Sequence, residues 1–486
     1  MDGVTTLGDL LFGGTDDGST LVLHTIDRDY TLDEVRLRAT DIAGELVDGG
    51  AGIGATVGVM LPDAEVVPAL FGVWRLGGAY LPLNLRLGRS DLGHVLDAVD
   101  PTVVVTTPEH ADRFGERPVV IVADGRATLR PGTPGTRRFD ADVALVQLTS
   151  GTTGRPKPVL LTHSGVIPLL ENVVTSLRKR TDGPPKPPMP NLVPVSLSLW
   201  AGIYQVLFAR AVGAPVVVMD GFDTLEFARL VEHFDIRSVV LPPAAMTLLS
   251  DDERITTLSP LRYVRSITAP LSPLQARRFR DRFGTAVLNS YGQTEIGGEI
   301  IGWSGADSKA HGEDKLGAVG RPHAGVEVRV DEATGELQVL TPALSAGYAD
   351  GRDLSDRLTD DGWFRTGDVG RVDPEGFVWI DGRLSDMINR GGLKVFPGEV
   401  EEVLRLSPDV ADVAVAGFPD ARLGEVPWAF VVPSAGRDPE PEALAVLSRE
   451  HLAPYKVPVR FEVVDALPRN DVGKVLTREL VAEASR

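Results

Sequence analysis

The sequence predicts an α/β protein: a large multi-layer N-terminal α/β domain with a small β-barrel part, and a small mobile α+β C-terminal domain. Three observations carry this. Short β-branched runs alternate with longer mixed segments over residues 57–292, the texture changes to short strands and Gly/Asp/Pro turns over 317–380, and a compact pattern of its own follows Arg383. Alternation of the first kind lays helices on a largely parallel sheet. At 486 residues the chain exceeds one ordinary core, so about two to four structural units are expected.

Taken in order, residues 103–106, 143–148, 216–219, 239–241 and 286–288 are apolar, β-branched and short, which predicts buried strands. Apolar spacing predicts helices over 160–177, 225–233 and 274–283. Turn residues inside 370–380 predict a hairpin within a small antiparallel sheet or barrel. Beyond it, Pro397 suits a first helical position and predicts a helix over 398–405, followed by strands at 413–416 and 429–432. The expected division is 1–383 and 384–486. The proline-rich stretch around Lys186 reads as a stiff surface connection. No internal repeat is present.

Composition narrows the function. A hydrophobic content of 43% with 24% charged residues fits a soluble globular protein. The formal net charge of -19 argues against a general nucleic-acid binder, which needs a basic face. Arg178, Lys179 and Arg180 form the one basic run and read as a solvated helix end. With no cysteine, disulfides, thiolate metal sites and an internal thiol nucleophile are excluded, so any thioester chemistry takes its thiol from outside. The start lacks a basic region followed by an apolar core, and no apolar stretch approaches about 18 residues. No membrane span is expected, and a cytoplasmic enzyme is. The oligomeric state is left open.

The strongest motif lies at 148–163, where a Gly/Ser/Thr-rich loop with one lysine sits between a predicted strand and a predicted helix. Gly151 and Gly154 let successive backbone N–H groups turn toward one anion. Thr149, Ser150, Thr152 and Thr153 add hydroxyl donors, and Lys157 adds a point charge. The spacing is not that of the common NTPase loop, because no Ser or Thr follows Lys157. Further on come Asn289-Ser-Tyr-Gly-Gln-Thr-Glu295 after a predicted strand, Thr366-Gly-Asp368, Asp381-Gly-Arg383, the glycine pair Gly391 and Gly392, and Leu467-Pro-Arg-Asn-Asp-Val-Gly-Lys474.

In this order, over essentially the whole chain, the motifs resemble those of the adenylate-forming superfamily: acyl-CoA synthetases, nonribosomal-peptide adenylation domains and firefly luciferase. The resemblance is greatest to stand-alone acyl-CoA or aryl-CoA ligases. It implies that Thr149, Ser150, Gly151, Thr152, Thr153, Gly154 and Lys157 hold the β- and γ-phosphates of ATP. Ala269, Pro270, Asn289, Tyr291 and Gly292 would surround the adenine, and Thr294 would contact the α-phosphate. Glu295 would ligate Mg2+, since a hard cation wants carboxylate and phosphate oxygens. Asp368 would accept from the ribose hydroxyls beside Arg383, and Lys474 would counter charge in the adenylation transition state.

The implied reaction joins a carboxylate to AMP with loss of pyrophosphate, then transfers the acyl group to a thiol, with Ser385 as hinge and Gly391 and Gly392 beside the thiol's path. Relatives often carry Asp or Lys at the hinge. Coenzyme A is the first choice of acceptor, and the phosphopantetheine of an acyl carrier protein supplied in trans is the alternative. A nucleotide-binding homologue without catalysis is the reading from another class. For the acid, Val195, Ser196, Leu197, Trp200 and Thr268 are the expected pocket. Ser196 stands where α-amino-acid activators have an Asp for the amine, so α-amino acids are disfavoured. No aromatic gate is present at Val195 or Leu197, and the bulk of Thr268 favours a short or aromatic acid over a long chain.

Overall fold

The computed structural model describes residues 3–14, 17–149, 157–178, 188–469 and 475–484. Ser150, Gly151, Thr152, Thr153, Gly154 and Lys474 lie outside the described residues, as do Lys186, Lys179 and Arg180. Among the described residues five sheets form. The largest has seven strands, in spatial order Arg126–Arg130, Val119–Ala123, Val103–Thr106, Thr56–Met60, Ala79–Pro82, Val143–Thr149 and Lys157–Thr162. Its centre is parallel and both edges are antiparallel. The central strands are buried along their length, as a sheet covered on both faces requires. Helix Leu32–Asp48 starts at a capping box between Thr31 and Glu34 and turns Leu32, Val35, Ala39, Ile42 and Leu46 inward.

A second layer contains Ser238–Leu241, Tyr263–Ser266 and Ala286–Gln293 in parallel, then Gly298–Gly302 and Arg321–Pro322 antiparallel. Helices Thr224–His233 and Pro273–Phe283 belong to this layer, close to their predicted bounds. Leu192, Val217, Phe227, Leu230, Val264 and Phe279 form part of its core. Glu327–Val330, Glu336–Leu340, Phe364–Val372 and Val378–Arg383 make the antiparallel sheet predicted from the turn-rich segment. Beyond Arg383, helix Pro397–Leu404 and strands Val410–Asp420 and Gly424–Pro433 build a separate core around Val400, Leu404, Val413 and Val431.

The predicted start of one helix is wrong. Residues 160–162 belong to strand Lys157–Thr162, and the helix begins at His163 and runs to Arg178. Val159, Leu160 and Leu161 pair with Gln147, Val146 and Leu145 of the neighbouring strand, so ladder pairing overrides a local pattern that fits either element. No helix of the described residues is long and apolar enough to cross a membrane.

Phe227 has no exposed surface, and its replacement by alanine leaves a cavity that costs about 3–5 kcal/mol. Phe227→Ala should therefore unfold at lower urea concentration than the parent, with tryptophan fluorescence as the readout.

Candidate active site

The hairpin of strands Val143–Thr149 and Lys157–Thr162 brings Thr149 and Lys157 face to face in the ladder, and Thr149 Oγ1 donates to the Lys157 carbonyl at 3.3 Å. Residues 150–156 therefore connect two strands of the main sheet. On its other side the second strand bonds to residues 346–349: Leu160 N donates to Gly347 O, Ala346 N to Leu160 O and Ala349 N to Pro158 O. The same segment reaches Glu295, because Ser345 N donates to its carbonyl at 2.8 Å and the Tyr348 hydroxyl lies 3.4 Å from Oε1. Backbone bonds thus fix Glu295 against the base of the hairpin. Tyr348 carries no local signature and went unnoticed in the sequence.

Strand Ala286–Gln293 delivers the next residues, ending in a short turn at Thr294–Ile296. Asn289 pairs with Ser266, and its Oδ1 accepts from Ser290 N at 3.0 Å. At Gly292 an added Cβ would stand 1.7 Å from the Gly298 carbonyl, so only glycine allows the two strands this close. Tyr291 is half-buried, and its hydroxyl donates to Asp368 Oδ2 at 2.6 Å. Burial, then the Asp368 charge, push the phenol well above its ordinary value.

Asp368 is the centre of this half of the site. Its side chain is only 5% exposed, and Gln293 Nε2 donates to Oδ2 at 2.7 Å while Arg383 Nε stands 3.2 Å from Oδ1. Gln293 also donates to the Thr366 carbonyl at 2.8 Å. Asp368 and Arg383 are ladder partners at the end of the antiparallel sheet. Gln293, the variable position of its motif, was not singled out from sequence, since its role depends on contacts more than seventy residues away.

Of the expected acid pocket, Val195, Leu197 and Trp200 are buried, and Ser196 is half-buried. Trp200 Nε1 donates to the Gly297 carbonyl at 3.0 Å, and a Cβ at Gly298 would meet that nitrogen at 2.6 Å. Thr268, Ala269 and Pro270 are exposed. Thr268 has φ of 73°, a conformation that costs a β-branched residue about 1–2 kcal/mol.

Behind the segment lies Asp63, also absent from the sequence reading. Its Oδ1 accepts from Leu197 N at 2.9 Å, and Ser196 Oγ lies 3.4 Å away. Burial, with the Asp220 charge adding to it, pushes this carboxyl up to about 7.

At the expected domain junction, Ser385 lies in the turn Leu384–Asp386, is exposed, and bonds to Asp386 at 2.9 Å. Gly391 and Gly392, at φ of 62° and 89°, form a tight two-residue turn between Ile388–Arg390 and Leu393–Val395. Lys394 Nζ reaches back to the Thr334 carbonyl at 3.1 Å.

The model of the AMP-binding enzyme family matches residues 16–349, and that of the AMP-binding enzyme C-terminal domain matches 399–474. The chain belongs to the AMP-binding enzyme family. As a member of this adenylate-forming family it is an AMP-forming acid–thiol ligase that uses ATP and coenzyme A. It is 31% identical to feruloyl-CoA synthase of an Amycolatopsis species, with 93% of each chain covered. Identity to indoleacetate–CoA ligase of Aromatoleum aromaticum is 32%, with 86% of each covered. The fold superposes on ATP-bound MatB from Rhodopseudomonas palustris with a TM-score of 0.86, at 26% identity and 98% coverage of both chains.

Because the Asp63 carboxyl is raised in the folded AMP-binding enzyme, its stabilising share is complete below its unfolded value near 3.8 and is lost as pH rises through about 7. Asp63→Asn keeps the acceptor without the charge. Its melting temperature should match the parent near pH 4 and exceed it increasingly up to about pH 7, and parallel melting curves would refute this.

Proposed function

We propose that residues 1–383 bind ATP and a small carboxylic acid, that 384–486 form a mobile domain supplying Lys474, and that the cleft joins the acid to AMP and then to coenzyme A. The observation that carries the assignment of the nucleotide site is the Asp368 carboxylate, held by Tyr291, Gln293 and Arg383. A buried carboxylate so restrained is set to accept from paired hydroxyls, as on a ribose. Arg383 is 41% exposed, so it can yield Oδ1 to the nucleotide.

In the first step a carboxylate oxygen of the acid attacks the α-phosphorus and the bond to pyrophosphate breaks. Thr149, Lys157 and the intervening loop hold the departing phosphates, Thr294 contacts the α-phosphate, and Lys474 balances its growing negative charge. Among the described residues no group of three or more metal-binding side chains exists. The single carboxylate of Glu295, lightly engaged by Tyr348, fits a Mg2+ ion whose remaining ligands are phosphate oxygens and water. That ion supplies charge neutralisation between the triphosphate and the incoming anion. In the second step the thiolate of coenzyme A attacks the acyl carbon and AMP leaves. The turn at Ser385 is the proposed hinge and the Gly391–Gly392 turn borders the thiol's approach.

The acid is short or aromatic, and the named relatives, which act on feruloyl and indoleacetate groups, support the aromatic choice. Coenzyme A rather than a carrier protein is the acceptor, and the enzyme works in the cytoplasm.

Pyrophosphate release with ATP and a panel of acids tests the reading: ATP binding without release from any acid would overturn it. Lys474→Ala should abolish adenylation yet still form thioester from supplied acyl-adenylate, and equal loss of both would remove Lys474 from its role. Gln293→Leu should raise the KM for ATP by about tenfold or more, the cost of one hydrogen bond to a buried charge, with a smaller effect on kcat.

A further inference from the structure

An open crevice of about 540 Å³ lies at the amino ends of the parallel strands of the largest sheet, and no step described above uses it. Its lining residues lie just ahead of those strands. Asp100 precedes Val103–Thr106, Arg117 precedes Val119–Ala123, and Arg138 bridges to Ala55, next to Thr56–Met60. Thr149 stands at the opposite, carboxyl end of a strand that runs parallel to Ala79–Pro82. The crevice and the proposed phosphate loop therefore open at different edges of the sheet.

The backbone around the crevice is pinned in place. Helix Arg89–Val99 ends at Asp100, which adopts the left-handed conformation at φ of 47°. Its Oδ2 accepts from Thr136 N at 2.8 Å and from Thr136 Oγ1 at 3.1 Å, and its Oδ1 accepts from Arg117 Nη2 at 3.1 Å. Thr133 N donates to the Glu116 carbonyl at 2.7 Å, and Phe139 N donates to the Gly54 carbonyl at 2.8 Å, so the segment 133–139 is fixed at both ends. An added Cβ at Gly135 would stand 2.4 Å from the Asp100 and Pro101 carbonyls. Only glycine lets the segment lie this close.

Three guanidinium groups, those of Arg117, Arg137 and Arg138, line the crevice. Each has five N–H donors, and the protein engages few of them. Arg137 gives Nη1 to the carbonyls of Ala98, at 2.7 Å, and of Ala349. Arg138 gives Nη2 to the Gly50 carbonyl at 3.1 Å, and Arg117 Nη2 adds a long bond to the Leu96 carbonyl at 3.4 Å. Among the described residues Arg117 Nε is buried without a hydrogen-bond partner, a costly arrangement unless a ligand or solvent relieves it. Two carboxylates share the lining: Asp100 is already engaged by three donors, and Asp97 is exposed. Within a chain of formal net charge -19, this is a local excess of positive charge.

We propose that this crevice binds a small phosphate-bearing anion, its phosphate oxygens facing Arg117, Arg137 and Arg138. The volume falls within the range of small-molecule sites. Of the lining residues only Leu96 is aliphatic, so the ligand is polar over most of its surface. Planar guanidinium forks match an oxyanion, and three of them offer donors to more oxygens than a single carboxylate has. That selects phosphate.

The test titrates the full chain with inorganic pyrophosphate, and separately with succinate, by calorimetry without ATP. Pyrophosphate should bind more tightly than succinate, and its binding should persist in Lys157→Ala, which removes the charge at the proposed phosphate loop. Arg138→Gln, at an exposed side chain, should melt with the parent yet weaken pyrophosphate binding by about tenfold or more, the loss of a hydrogen bond to a charged group. Arg117→Lys should also weaken it, because the charge stays while the fork is lost. Absence of pyrophosphate binding, its disappearance with Lys157→Ala, its indifference to both arginine variants, or equal affinity for succinate would overturn the proposal.

Discussion

The buried carboxylate of Asp368 is the constraint on which the proposed nucleotide site depends. It belongs to the antiparallel sheet, while two of its partners, Tyr291 and Gln293, come from the end of a strand in the second layer. A charge that is 5% exposed is stable only when paired and hydrogen-bonded. The two sheets are therefore held in one relation by the need to satisfy it. Arg383, the last residue before the proposed C-terminal domain, completes the set, so the proposed nucleotide site and domain junction share a residue.

A second constraint serves the phosphate end. The segment 345–349 bonds to the outer hairpin strand and to Glu295 at once. Lys157 and the proposed metal ligand are thereby referred to one backbone frame. That frame comes from backbone bonds, so apart from Gly347 it does not depend on which side chains 346–349 carry. Its cost is positional: Gly347, at φ of 104°, makes the turn that lets both contacts form.

Much of this was readable in the sequence because it is local. Strand Val103–Thr106 has its predicted bounds, and helices Thr224–His233 and Pro273–Phe283 differ by a residue, since β-branching and apolar spacing act within a few residues. The helix expected over 160–177 starts three residues later, at His163, because an apolar run at a hairpin satisfies either period. The family motifs placed Tyr291, Glu295, Asp368 and Arg383, and the structure brings Tyr291, Asp368 and Arg383 together. Gln293 and Asp63 were not legible. Each draws its role from a partner brought near only by the fold, as with Asp63 and Leu197, 134 residues apart.

Thr268 keeps a backbone shape that glycine adopts freely and a β-branched residue resists. Strain of this kind persists where the surroundings fix it and something is gained in exchange. The genetic code adds a historical consequence: threonine and glycine codons are not single-nucleotide neighbours, so exchange between them passes through alanine, serine or another intermediate. A chain with threonine here is separated from glycine by a variant without the conformational freedom of the one or the bulk of the other.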